Sequence, residues 1–292
     1  MSQADIGIVG TGVMGAALAE NFESRGLTVA LYNRDQGVLD AVIAARPGAR
    51  YVRCGDYPAL AAALKPPRRV IMMVTAGPAV DAVLAALSEV LEDGDIVVDG
   101  GNSHFADTDR RVAAAATSGV RFFGMGVSGG EEGARLGPAM MPGGDKDSFE
   151  ALRPMLEAAA ARSDSGPCVD WCGHGSAGHF VKMVHNGIEY GDMQLIAEVV
   201  SLLREGLGLL PTAIRDVFQR WNAGPLESFL VEITGQIVAA RDPQGSGPLL
   251  DQILDVAGQK GTGRWTAIVA TEHGVAIPTI TAAVDARALS AG

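Results

Sequence analysis

Three glycines in six residues, Gly10-Thr11-Gly12-Val13-Met14-Gly15, stand between an apolar run and an amphipathic one. No other feature of the chain narrows its fold as much. Asp5–Val9 reads as a strand and Met14–Arg25 as a helix. A lone G-x-G-x-x-G is a weak signal, but at a strand–turn–helix junction it is specific for a dinucleotide. Gly10 permits the tight turn, Gly12 lets the main chain approach a pyrophosphate, and Gly15 lets helix and sheet pack closely. The helix N-terminus then faces the phosphates, with Thr11, Val13 and Met14 in the same loop.

The pattern continues downstream. Thr28–Tyr32, Arg69–Met73, Asp95–Asp99 and Arg121–Phe123 read as strands; Asp35–Ala45, Pro78–Leu87 and Ala106–Ser118 read as helices. Continuous apolar strands separated by amphipathic helices imply a parallel sheet covered on both faces. Beyond Gly178 the strand signal stops. His179–Arg204, Pro211–Ala223, Ser228–Ala239, Arg264–His273 and Thr279–Ser290 all have helical periodicity, and Pro243–Pro248 marks a loop. The expected fold is therefore an α/β Rossmann-type dinucleotide-binding domain over residues 1–178, followed by an all-helical domain over 179–292.

The end of the second strand selects the cofactor. An acidic residue there would bind the ribose 2′-hydroxyl of NAD. This chain has Asn33 and then Arg34. An arginine suits a 2′-phosphate, so NADP is favoured, with NAD possible. Asp35 follows, where a carboxylate would repel a phosphate unless it caps the next helix.

Net charge is −11 and no basic run occurs, which argues against nucleic acid. No apolar stretch is long enough to span a bilayer. The N-terminus lacks a basic signal region, and Cys54, Cys168 and Cys172 are too few and odd in number for a disulfide framework. The expectation is a cytoplasmic protein. Cys172, His174 and His179 lie close in sequence, but their spacing matches no common zinc module, so no metal is expected.

Lys182, His185, Asn186, Glu189 and Tyr190 fall within an arc of roughly 140° on the long helix, at about 100° per residue. A lysine and a carboxylic acid on one face can divide base and acid work. Gly258-Gln259-Lys260-Gly261-Thr262-Gly263 lacks the spacing of a P-loop, yet offers a cation, a hydroxyl and flexible backbone to a phosphate. Arg287, on the final helix, could reach the same group. Ser128-Gly129-Gly130 and Asp99-Gly100-Gly101-Asn102-Ser103 follow strands at the carboxyl edge of the sheet, where ligands bind in such folds.

Several motifs together resemble 6-phosphogluconate dehydrogenase of the long type. They are Val98–Ser103, Gly126–Ala134, Met140–Gly144, Val181–Glu198 and Lys260–Thr266. The resemblance covers the whole chain. It implies a homodimer that uses NADP to oxidise and decarboxylate 6-phosphogluconate, in the pentose phosphate pathway and gluconate utilisation. It further implies that Lys182 is the general base and that Glu189 protonates the enediol carbon. Ser128, Gly129, Gly130, His185 and Asn186 would hold the sugar acid, and Tyr190, Lys260, Thr262 and Arg287 its phosphate. Asn102 would lie between nicotinamide and substrate, and Val74, Thr75, Ala76 and Gly77 beside the cofactor.

Three departures from the family qualify that picture. Thr75 stands where a lysine is frequent, and Asp35 where Thr or Ser is frequent. Long-type members also continue well past the position of Ala291, with a tail that gives an arginine and a histidine to the partner's site. On that ground this chain is expected to bind 6-phosphogluconate weakly. Two other readings stay open: another β-hydroxyacid dehydrogenase, such as the 3-hydroxyisobutyrate type, or a chain that binds nucleotide and turns over little.

Overall fold

The computed structural model describes residues 3–245 and 247–292. The chain divides into two compact units, Met1–Met183 and Val184–Gly292. The first contains β1 (Ile6–Val9), α1 (Val13–Ser24), β2 (Val29–Tyr32), α2 (Gln36–Ala44), β3 (Tyr51–Arg53), α3 (Tyr57–Ala63), β4 (Arg69–Met72) and α4 (Pro78–Ser88). It continues with β5 (Ile96–Asp99), α5 (Phe105–Ala115), β6 (Arg121–Ser128), α6 (Gly130–Leu136), β7 (Ala139–Pro142), α7 (Lys146–Ala159) and a small ribbon of β8 (Arg162–Ser163) and β9 (Gly166–Pro167).

The main sheet has the order β3-β2-β1-β4-β5-β6-β7. Strand order reverses between β1 and β4, so the glycine loop after β1 sits at the switch point where doubly wound sheets bind ligands. Alternation along the strands splits the core in two. Ile6, Ile8, Val29, Leu31, Ile71, Ile96 and Val98 pack on one face. Val9, Ala30, Val70, Met72 and Val97 pack on the other. This is the two-sided burial that continuous apolar strands imply.

β7 corrects the expectation of a purely parallel sheet, because it pairs antiparallel with β6. The connection between them, residues 129–138, is shorter than the dozen or more residues that a parallel crossover needs. β6 also runs to Ser128 rather than stopping at Phe123, because β7 pairs with its second half.

The long helix α8 (Ala177–Ser201) begins in the first unit. The two compact units divide after Met183, within this helix. Close packing explains this. A Cβ on Gly178 would collide with the main chain of Met141, Gly124 and Gly143, so the start of α8 lies directly on β6 and β7.

The second unit holds the rest of α8, a π-helical turn (Leu202–Gly206), α9 (Pro211–Asn222), α10 (Phe229–Ala239), a 3-10 turn (Leu249–Gln252), α11 (Thr262–Glu272) and α12 (Pro278–Ser290). Ile214, Phe218 and Val238 form its buried centre, with Ile196, Val199 and Trp221 packed around them. Gly187 and Gly191, the glycines inside α8, face Thr266 of α11 and Thr279 of α12. The missing side chains let those helices approach. Among the described residues no helix is long and apolar enough to cross a membrane.

Candidate functional site

The three glycines of the first loop have three separate physical roles. Gly10 has φ +93°, and a Cβ there would stand 2.5 Å from the Met73 carbonyl oxygen. A Cβ on Gly15 would overlap the Gly10 carbonyl, so this glycine closes helix on strand. Gly12 would meet nothing within 4 Å. Its missing side chain is required by no protein neighbour, which leaves room for a ligand. The Thr11 N–H donates to Asn33 Oδ1 at 3.1 Å and so ties the loop to the end of β2. The Thr11 hydroxyl is buried and, among the described residues, has no hydrogen-bond partner.

A cavity of about 550 Å³ opens beside this loop. Of the expected cofactor residues, Gly10, Gly12, Asn33, Arg34, Asp35, Val74 and Thr75 line it. Thr11, Val13, Met14, Gly15, Ala76, Gly77 and Asn102 do not. Tyr32 and Tyr57 form a wall that sequence reading missed, with ring centroids 4.5 Å apart. The Tyr57 hydroxyl is pushed up to about 12, chiefly by burial and then by Tyr32, so it stays a neutral hydrogen-bonding group. Arg34 is exposed at the cavity. Asp35 is the N-cap of α2: its Oδ1 accepts from Gly37 N at 2.9 Å and Val38 N at 3.3 Å. A capping carboxylate is partly satisfied by main-chain donors and helix dipole.

At the carboxyl end of β5, the Asp99 carboxylate organises the loop that carries Asn102. Oδ1 accepts from Gly101 N at 3.0 Å and Oδ2 from the Ser103 hydroxyl at 2.6 Å. Asn102 between them is exposed. Arg111 is 1% exposed and grips Asp81 through two 2.9 Å bonds, and it donates to the Gly77 carbonyl at 3.0 Å. The Arg111 pair holds the Asp81 carboxyl down at about 2. Sequence reading had no signal for this buried cation, since Arg111 sits in the ordinary polar run Asp107–Arg111.

Ser128 ends β6, and Gly129 and Gly130 start α6 with φ +133° and +61°. Lys182 of α8 is only 6% exposed. A Cβ on Gly126 would run into the Lys182 side chain, so its stem lies across β6 two residues before Ser128. The first unit thus brings together Lys182 and the Ser128–Gly130 turn.

In the second unit, His185 Nδ1 lies 3.3 Å from Glu189 Oε2. Asn186 Nδ2 donates to Thr262 Oγ1 at 3.4 Å. The Tyr190 ring is pressed on Gly263, where a Cβ would stand 2.5 Å from the ring. The Arg287 guanidinium lies over the ring at 3.7 Å from the centroid and donates to the Gly258 carbonyl at 2.6 Å. Tyr190, Thr262 and Arg287 are therefore gathered at one place, while Lys260 stands exposed on the adjoining loop. Among the described residues no group of three or more His, Cys, Asp or Glu side chains could hold a metal.

The family pattern described as the NAD binding domain of 6-phosphogluconate dehydrogenase matches residues 5–173, and the one for the 6-phosphogluconate dehydrogenase C-terminal domain matches residues 178–292. The chain belongs to the 6-phosphogluconate dehydrogenase family. The decarboxylating 6-phosphogluconate dehydrogenase of Lactococcus lactis is 49% identical over 292 residues, covering 99% of this chain and 62% of the relative. The NADP(+)-dependent decarboxylating enzyme of Bacillus subtilis is 47% identical over 291 residues, covering 100% and 62%. A Plasmodium falciparum 6-phosphogluconate dehydrogenase, solved apo and with its cofactor NADP+ and its substrate 6-phosphogluconate, superposes with a TM-score of 0.94. That match has 42% identity and covers 98% of this chain and 62% of that one. The chain thus spans 62% of the length of each of these 6-phosphogluconate dehydrogenases.

Proposed function

We propose that this chain catalyses the NADP-dependent oxidative decarboxylation of 6-phosphogluconate to ribulose 5-phosphate and carbon dioxide, as a cytoplasmic homodimer of the pentose phosphate pathway. The observation that carries the reading is the buried Lys182, whose stem lies on Gly126 beside the Ser128–Gly130 turn. Whole-chain identity of 47–49% to decarboxylating 6-phosphogluconate dehydrogenases supports it. The first unit fits the cofactor: the cleared space at Gly12, the unpartnered Thr11 hydroxyl and the exposed Arg34 suit a pyrophosphate and a 2′-phosphate.

When bound, NADP supplies the electron acceptor for oxidation at C3. Lys182 takes the proton of the 3-hydroxyl. The resulting β-keto acid loses carbon dioxide, and Lys182 returns the proton to the keto oxygen. Glu189 then protonates the enediol carbon, with His185 beside it as an i, i+4 partner. Ser128, Gly129, Gly130, His185 and Asn186 hold the sugar acid, and Asn102 lies between nicotinamide and substrate. Tyr190, Lys260, Thr262 and Arg287 hold its phosphate. The Arg287 guanidinium also covers the Tyr190 ring. Leu226, Phe229, Leu254 and Leu289 are each more than half exposed, and such apolar side chains favour association of copies.

Reduction of NADP and of NAD by 6-phosphogluconate, with carbon dioxide measured alongside, tests the reading. Equimolar reduced cofactor and carbon dioxide are expected, and Lys182→Ala should abolish both. Near-normal turnover in that variant would show that another group is the base.

A further inference from the structure

We propose that His179 and Asp99 are positioning residues: they join the Asn102 loop and the Lys182 turn of α8 into one rigid piece. The claim rests on the function proposed above for Lys182, but its geometry lies wholly within the first unit. His179 is 1% exposed and precedes Lys182 by three positions on one helix. Residues at i and i+3 share a helix face, and alternate strand residues share a sheet face. Here the two patterns interlock. A Cβ on Gly124 would enter the His179 ring, and a Cβ on Gly126 would enter the Lys182 stem. The helix is therefore docked on β6 at two successive points.

Packing alone would be served as well by a phenylalanine. The imidazole adds direction. Its Nε2 lies 3.0 Å from the Asp99 main-chain oxygen, which can only accept, so Nε2 carries the hydrogen. Burial holds the ring below the usual imidazole range and therefore neutral. Nδ1 is then the acceptor for the Thr108 hydroxyl at 2.6 Å. The tautomer and the ring plane are both determined.

Asp99 is the joint. Its carbonyl holds the helix through His179, and its carboxylate holds Gly101 and Ser103, the residues on either side of Asn102. Arg111, buried beside it with Nη1 3.9 Å from Oδ2, extends the brace to Asp81 and the Gly77 carbonyl. A reacting group displaced by about 1 Å can lose on the order of 10²-fold in rate. A polar network of this kind, with each member satisfied, orients its members more tightly than apolar packing does.

The test compares His179→Phe, which keeps volume and loses both bonds, with His179→Gln, which keeps an amide donor for the Asp99 carbonyl, and with the milder Thr108→Val. Three readouts apply to the intact chain: amide hydrogen exchange of residues 99–104 and 177–183, the pH profile of Lys182 acetylation by acetic anhydride, and the NADP dissociation constant. Turnover is measured with 6-phosphogluconate and with its C3-deuterated form. In His179→Phe, exchange should rise about tenfold in both segments together, the acetylation profile should move, and NADP affinity should stay within twofold. Turnover should fall at least tenfold with a larger isotope effect, and His179→Gln should recover part of it. Exchange rising in only one segment, or an unmoved acetylation profile in all three variants, overturns the proposal. A parent chain that binds NADP but shows no turnover refutes the function proposed above, while exchange and acetylation still decide the positioning claim.

Discussion

Gly126→Ala isolates the part of this architecture that places the lysine. The new Cβ would stand 2.9 Å from Lys182 Cγ, nearer still to Lys182 Cβ, and 3.2 Å from Met141 Sδ. Non-bonded carbons rest at about 3.5–4.0 Å, so the Cγ contact alone demands a separation of roughly 0.6–1.1 Å. β6 is held on one side by β5 and on the other by β7, so the helix must move instead. Overpacking of this kind costs about 1–3 kcal/mol. A lysine displaced by about 1 Å should cost on the order of 10²-fold in kcat. The cofactor cavity contains neither Gly126 nor Lys182, so the NADP dissociation constant should change less than twofold. Urea denaturation, steady-state kinetics and fluorescence titration of NADP measure the three quantities. An alanine variant with unchanged denaturation midpoint and full turnover would refute the argument, because it would mean that β6 does not set the position of Lys182.

The same reasoning separates two glycines of the nucleotide loop. Gly12→Ala meets no protein atom within 4 Å, so its stability should stay within about 0.5 kcal/mol while NADP binding weakens at least tenfold. Gly15→Ala collides with the Gly10 carbonyl and should instead lower the denaturation midpoint strongly; equal stabilities for the two variants would contradict these roles. Arg34→Ala should weaken NADP binding by roughly tenfold or more, the loss of a charge-assisted hydrogen bond of about 1.5–3 kcal/mol, and leave NAD nearly unaffected; calorimetric titration of both nucleotides would expose an equal loss. Burial lowers the His179 pKa in the folded chain, so below the ordinary value of about 6.5 the unfolded chain binds the extra proton. Stability should therefore fall as pH drops through and below that value, by at most about 1.4 kcal/mol per pH unit from this group. Urea midpoints at pH 7.5, 6 and 5 should show the slope reduced in His179→Phe, and an identical slope in that variant would count against a buried neutral ring.

Much of the first unit was legible from sequence because its signals are local. The G-x-G-x-x-G turn needs only its own neighbours: Gly10 makes the tight turn and Gly15 the close helix–strand packing that spacing assigns them. Asp35 caps α2 through main-chain donors two and three residues on, as its place before an amphipathic run suggested. Helices α9 to α12 follow from periodicity that starts and stops at Pro, Ser and Gly. Other features depended on partners far away in sequence. β7 is four residues ending in a proline, with no alternation to announce it; only pairing with β6 makes it a strand and turns the sheet mixed. His179 bonds Asp99 across 80 residues and Thr108 across 71, so sequence reading could weigh it only as a metal ligand. Arg111 became a buried cation because Asp81, 30 residues earlier, faces it. Caps, turns and periods are set by bonds within a few residues and can be read along the chain. Which polar group satisfies which in the core is decided only when the sheet and its helices close around them.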